Sequence, residues 1–152
     1  AIGEMALRNK YRKISVLAAC AKAGVPATVH LSVGADITHM HPQVSGRDLG
    51  EATLLDFRLL GGVVAGLEKG VWLNIGSAVV LPEVFLKALN LSRNLGRKTG
   101  NFITANFDML YQYRPQMNIV SRPTQNAGKG YYIIGHHEIM LPLLHRAIVE
   151  YI

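Results

Sequence analysis

One cysteine, Cys20, occurs in 152 residues. That excludes an internal disulfide framework and points to a reducing compartment. Cys20 sits in the apolar run VLAACAKA, where a small buried hydrophobe is the expected role rather than a nucleophile. Charge is also scarce: charged residues make up 17% of the chain against 49% apolar, a folded-domain composition in which other subunits are expected to cover part of the surface. No stretch reaches the roughly 18 consecutive apolar residues of a membrane helix, and the start lacks the charged-then-apolar order of a signal peptide. The expectation is a cytoplasmic protein with no membrane contact. An initiator Met is missing and the chain opens on AIGEMAL, already helix-like, so it reads as part of something longer. Acidic residues are the minority, 10 against 16 basic for a net charge of +6, which is compatible with nucleic acid, phosphate or an acidic partner. The basic residues are scattered, however, and the densest group (Arg8, Lys10, Arg12, Lys13) lacks stacking aromatics at regular spacing. A solvated surface or partner contact is expected there, and no nucleic-acid partner.

What is present is an alternation of short apolar segments. Ser15 is a suitable N-cap for VLAACAKA, and Gly24 with Pro26 stops that helix. ATVHLSV, 27–33, reads as a β-branched strand. RDLGEATLLDFRLLGGVVAGL, 47–67, has helical length and apolar residues nearly all round, which predicts burial on most sides. VWLNI, 71–75, is the near-continuous run expected of a parallel strand covered on both faces. Leu81, Val84, Phe85, Ala88 and Leu89 recur at helical spacing, with Pro82 in the first turn and Gly96 at the end. NFITAN, 101–106, reads as a strand, FDMLYQYRP as a helical turn, NIVSRP as a short extended piece and GYYII, 130–134, as a further strand. Ile139, Met140, Leu143, Leu144, Ala147, Ile148 and Tyr151 mark a final amphipathic helix with Pro142 near its start. The connections are too long for hairpins. The pattern predicts a single α/β domain, a parallel sheet with helices on both faces.

Ligands of such sheets sit beyond the carboxyl ends of the strands. There the chain offers Asn74, Gly76 and Ser77, whose turn lets backbone approach a phosphate or simply joins two elements. It also offers Thr104, Ala105, Asn106 and Asp108, suited to ribose hydroxyls or to helix capping. Asp36, His39 and His41 form D-x-x-H-x-H, and His136, His137 and Glu138 lie near the other end. These side chains suit zinc or iron, but the histidines equally suit phosphate contact, acid–base catalysis or capping, and no metal is assigned. Lys129 lies between Gly128 and Gly130, which keep it accessible. Desolvated, such a lysine becomes a nucleophile that forms imines.

Taken in order, these segments resemble the deoxyhypusine synthase family, and more closely the bacterial deoxyhypusine-synthase-like proteins. VWLNIGSAVV is similar to the family's apolar strand and glycine turn, and Ser92-Arg93-Asn94-Leu95-Gly96 to its Arg-Asn-Gly-like helix end. Ile103-Thr104-Ala105-Asn106-Phe107-Asp108 is similar to its Asn-Thr-Ala-like strand end, Gly128-Lys129-Gly130 to its Gly-Lys segment, and Met140-Leu141-Pro142-Leu143-Leu144 to its Phe-Pro-Leu-Leu helix. The likeness covers roughly residues 13–152 and corresponds to the second half of a family domain. It implies a Rossmann-like fold, NAD as cofactor, a homo-oligomer (a tetramer in the family) and chemistry on a small amine or polyamine. By the same resemblance Gly76, Ser77, Thr104, Ala105, Asp108 and His136 or His137 would touch NAD, and Lys129 would form the imine. Where the synthases carry paired histidines after the glycine turn, this chain has Leu81-Pro82-Glu83. Their acidic polyamine loop is replaced by MLYQYRPQM after Asp108, leaving Glu83, Asp108, Glu138 and several tyrosines for an amine. The leading expectation is NAD-dependent transfer or oxidation of an amine, with His39 and His41 as further catalytic candidates. The alternatives are a metal-dependent hydrolase built on Asp36, His39 and His41, and a non-catalytic assembly module.

Overall fold

Ser15 and Gly24 bracket the first full helix as the capping rules demand. The Ser15 hydroxyl accepts the Ala18 N–H at 3.3 Å and Gly24 turns left-handed at φ +67°, so α2 runs Val16–Ala23. The computed structural model describes residues 2–151, and the chain forms two compact units, 1–59 and 60–152, divided within one helix. In the first unit α1 (Ile2–Leu7) lies on α2. Gly3 makes this possible, because a Cβ there would stand 2.9 Å from the Leu17 carbonyl oxygen. Ala18 is the only buried side chain among the described residues of this unit.

Residues 27–33 are not a strand. The segment is free of regular structure, and its alternate N–H groups go to side chains of α3 (Gly46–Ala65) instead of a neighbouring ladder. Val29 donates to Asp56 Oδ2 at 2.7 Å and Leu31 to Thr53 Oγ1 at 3.3 Å. The β-branched residues set the two-residue alternation, and helix side chains took the place of a second strand. α3 itself departs from its expected burial: Gly61 and Val64 are buried, while Leu54, Leu55, Leu59 and Val63 are 45–56% exposed.

The second unit is a mixed α/β arrangement around a three-stranded parallel sheet, β1 (Val71–Ile75), β2 (Ile103–Asp108) and β3 (Lys129–Ile134), in that spatial order. α4 (Val80–Asn94) joins β1 to β2. α5 (Tyr113–Pro115) runs into a π-helical stretch, Gln116–Ser121, before β3, and α6 (His137–Tyr151) follows the sheet. The core forms where Trp72 of β1 stacks on Phe85 of α4 at 4.2 Å and Phe85 meets Phe102 edge-on at 6.4 Å. Ala88, Leu89 and Ile119 are fully buried around them.

Three further expectations are corrected. β1 is an edge strand covered on one face only, with Val71, Leu73 and Ile75 exposed; burial on both faces is confined to central β2, from Thr104 to Phe107. NIVSRP is helical rather than extended: Asn118, Ile119 and Val120 are buried where the π-helix packs on α4, β2 and β3, and consecutive burial of that kind suits a helix wedged between elements. The apolar stripe of α6 has no buried residue. Among the described residues no helix is long and apolar enough to cross a membrane.

Candidate functional site

The carboxyl edge of the sheet gathers several of the expected residues. Gly76 leaves β1 at φ +66° and donates its N–H to the Phe107 carbonyl at 3.0 Å. A side chain there would meet a second obstacle besides the left-handed backbone, since a Cβ would lie 3.1 Å from Nε2 of His137. The Asn74 amide donates to the Ser77 carbonyl at 2.9 Å and to Asn106 Oδ1 at 2.5 Å, tying the turn to β2. The Ser77 hydroxyl accepts the Leu81 N–H at 3.2 Å, a capping role, while Val79, which immediately precedes α4, makes no side-chain cap. On the neighbouring strand Gly135 donates to the Asp108 carbonyl at 3.0 Å. Gly76, Asn106, Asp108 and His137 thus belong to one edge.

Three polar atoms at or near this edge are buried without a hydrogen-bond partner: Asn106 Nδ2, His137 Nδ1 and, deeper in β2, Thr104 Oγ1. An orphaned buried donor or acceptor costs about 1–3 kcal/mol. Asn106 is register partner to both Asn74 and Tyr132, so a polar row crosses all three strands. Its amide lies close enough to the Tyr132 phenol to favour the ionised form slightly, yet forms no well-made hydrogen bond to it. Burial outweighs that influence and the larger one of the Gln112 N–H, and pushes the phenol up, helped by the charges of Asp108 and Tyr111. Tyr132 therefore stays protonated at neutral pH, donates to the Leu110 carbonyl at 3.0 Å and accepts the Gln112 N–H at 2.8 Å. Asp108 Oδ1 accepts the Leu110 N–H at 3.3 Å. Ala105 alternates onto the other sheet face, and His136 is exposed, 3.9 Å from Glu138.

Lys129 is placed elsewhere. It begins β3, paired with Ile103, whereas Asp108 pairs with Ile134 at the far end of the same strands; five steps of parallel strand separate the two edges by about 17 Å. Its flanking glycines answer to packing rather than access. A Cβ on Gly128 would reach the Phe102 carbonyl and one on Gly130 would fall inside the Val120 carbonyl of the π-helix.

Asp36, His39 and His41 lie in the first unit and serve its turns. Asp36 Oδ2 accepts the Ser32 N–H, His39 Nδ1 that of Gly34 and His41 Nδ1 that of Gln43, at 3.0, 3.0 and 3.2 Å. Among the described residues no three His, Cys, Asp or Glu side chains are grouped to hold a metal.

Two polar features escaped the sequence reading. Tyr132 looked like one more apolar strand residue in GYYII. Glu83 accepts from the Asn118 amide at 2.8 Å, and Asn118 Oδ1 accepts from Arg122 at 3.0 Å; the i,i+4 spacing of Asn118 and Arg122 was the available signal, hidden by reading that segment as extended. The chain matches no protein-family model, no curated protein and no solved structure.

Proposed function

We propose that the second unit is a Rossmann-like domain of the deoxyhypusine-synthase-like kind that binds NAD at the carboxyl edge of its sheet and acts, within a homo-oligomer, on a small amine. The observation that carries this reading is the pair of orphaned buried atoms, Asn106 Nδ2 and His137 Nδ1, beside a left-handed glycine turn. The residues suit a dinucleotide. The left-handed Gly76 turn lets backbone approach a pyrophosphate, while Asp108 offers a carboxylate to ribose hydroxyls. When bound, NAD supplies a hydride acceptor for the carbon beside an amine nitrogen. In this chain Asp108 would hold the cationic amine by charge, and the His137 ring covers the turn that the cofactor approaches. Lys129, about 17 Å along β3 from that edge, can join the same reaction only in a site that a second copy completes. The open apolar residues of β1 and α6 supply surface for such assembly.

Calorimetric titration of the chain with NAD tests the reading. Saturable binding is expected, weakened at least tenfold by Asp108→Asn. Absence of binding, or binding indifferent to the substitution, overturns it. The same exposed faces favour one other reading, a non-catalytic assembly module, which predicts self-association with no nucleotide affinity.

A further inference from the structure

The turn that joins α1 to α2 combines clustered positive charge with bare apolar side chains. From Arg8 to Ile14 every residue is exposed, Arg8, Lys10, Arg12 and Lys13 among them. Between Met5 and Ala35 the sequence has no acidic residue, and among the described residues no ion pair engages any of these four cations. Ile14 is 83% exposed, and Val16 and Met5 on either side of the turn are 75% and 74% exposed. The turn is nevertheless well made. Arg8 and Asn9 donate backbone N–H groups to the carbonyls of Met5 and Ala6, and Arg12 to that of Asn9, all at 3.1 Å. Ile14 donates to the Tyr11 carbonyl at 3.0 Å, and Asn9 Oδ1 accepts the Tyr11 N–H at 3.0 Å. These bonds span three residues each, so the backbone advances about 2 Å per residue and Arg8 and Lys13 lie within roughly 10 Å. The Lys10 ammonium rests over the Tyr11 ring, 4.7 Å from its centre.

An occupant of this surface has to answer both the charge and the apolar tips. The cavity of this unit is lined by Glu4 and Leu17, on either side of the stretch, and by none of residues 5–16, so the turn offers a protrusion and not a groove for a peptide. The phosphates of a nucleic acid would answer the cations and leave Ile14 in water. An anionic bilayer answers both. Its headgroups meet the ammonium and guanidinium groups, the methylene stems of Lys and Arg lie along the apolar boundary, and an apolar tip enters it. We propose that the α1–α2 turn is a peripheral docking site for an anionic phospholipid surface. Arg8, Lys10, Arg12 and Lys13 sit at the headgroups, Tyr11 at the interface where tyrosine is favoured, and Ile14 in the hydrocarbon boundary. A chain without a spanning helix can dock in this way because the contact lies in the plane of the interface. Nothing in the inference depends on nucleotide binding in the second unit.

Cosedimentation of the full chain with phospholipid vesicles tests it. Vesicles of phosphatidylcholine containing about one-third phosphatidylglycerol should bind the chain at least tenfold more strongly than pure phosphatidylcholine, and added salt should weaken that binding. Each cation near such a surface contributes about fivefold, so Arg12→Gln with Lys13→Gln should lower binding roughly 30-fold. Arg97→Gln with Lys98→Gln removes the same charge from exposed positions elsewhere and should change binding by no more than about twofold. Ile14→Ser should weaken binding severalfold with the salt dependence retained. All these side chains are exposed, and circular dichroism checks that each variant folds. No preference for the anionic vesicles overturns the proposal, as does an equal loss in the two double variants. Binding indifferent to Ile14→Ser, which is adsorption by charge alone, also overturns it. So does polyuridylate that displaces the vesicles and binds the Ile14→Ser variant as tightly as the wild-type chain, since the turn would then be a nucleic-acid contact.

Discussion

Replacing Gly76 by alanine separates what the turn needs as backbone from what it needs as space. A non-glycine residue at φ +66° carries a left-handed cost of about 1–2 kcal/mol, partly offset by about 0.4–1 kcal/mol because alanine restricts the unfolded chain. The new Cβ would also stand 3.1 Å from His137 Nε2, a contact that the ring must relieve by shifting. Overpacking in rigid surroundings costs about 1–3 kcal/mol, and a half-buried ring that can move should lie at or below the low end. The net expectation is a loss of about 1–2 kcal/mol, roughly a 5- to 30-fold fall in the folding equilibrium. Urea unfolding followed by fluorescence reads this unit directly, since Trp72, the chain's only tryptophan, lies in β1 just before the turn. His137→Ala in the Gly76→Ala background should recover the contact part and leave the backbone part. Gly76→Asn, whose side chain tolerates the left-handed region, should come close to the His137→Ala single variant when combined with it. A Gly76→Ala protein as stable as wild type, within about 0.3 kcal/mol, the limit to which independent effects add, would refute the claim that the turn requires glycine.

Two further outcomes are expected. Phe85→Ala removes a fully buried ring that stacks on Trp72 and meets Phe102 edge-on, so it should cost about 3–5 kcal/mol and change the Trp72 emission of the folded state; a loss below about 1 kcal/mol would contradict the placement of Phe85 at the core's centre. Glu68 accepts backbone N–H groups of Gly100 and Asn101 at 2.9 and 3.1 Å, bonds that hold its carboxyl below the usual range, Gly100 first. Because the folded-state pKa is the lower one, its contribution is present above the ordinary glutamate pKa and disappears as pH falls through the depressed value. Melting curves of wild type and Glu68→Gln should coincide at low pH and separate as the pH rises past the ordinary carboxylate range. Curves separated equally at every pH would refute that assignment.

Local signals were legible wherever local chemistry decides the outcome. Ser15 and Gly24 fixed both ends of α2, the apolar runs at 71–75 and 130–134 became parallel strands, and the helical spacing around Phe85 placed the core face of α4. The errors came where partners decide. The β-branched segment 27–33 had strand propensity but met Thr53 and Asp56 of a helix rather than a strand. The run 118–123, rich in β-branched residues, was drawn into a π-helix by the three elements packed round it. For the candidate site, the turn residues Gly76 and Ser77 were readable because turn chemistry is encoded in residue type, and Asn106 and Asp108 because polar residues stand out in an otherwise apolar strand. The polar row through Tyr132 was not, because register between strands distant in sequence is set only by folding. The same limit hid the distance between Lys129 and the opposite sheet edge.

The two glycines around Lys129 turn that residue into a built-in control for mutational scanning. Gly128 and Gly130 are held by the carbonyls of Phe102 and Val120, which leave no room for a methyl group. In a library selected only for folded protein, positions 128 and 130 should stay fixed while the exposed position 129 drifts freely. In a library selected for biological activity, drift at 129 would mark its lysine as a bystander, whereas constancy would be attributable to chemistry, since folding makes no demand on that side chain.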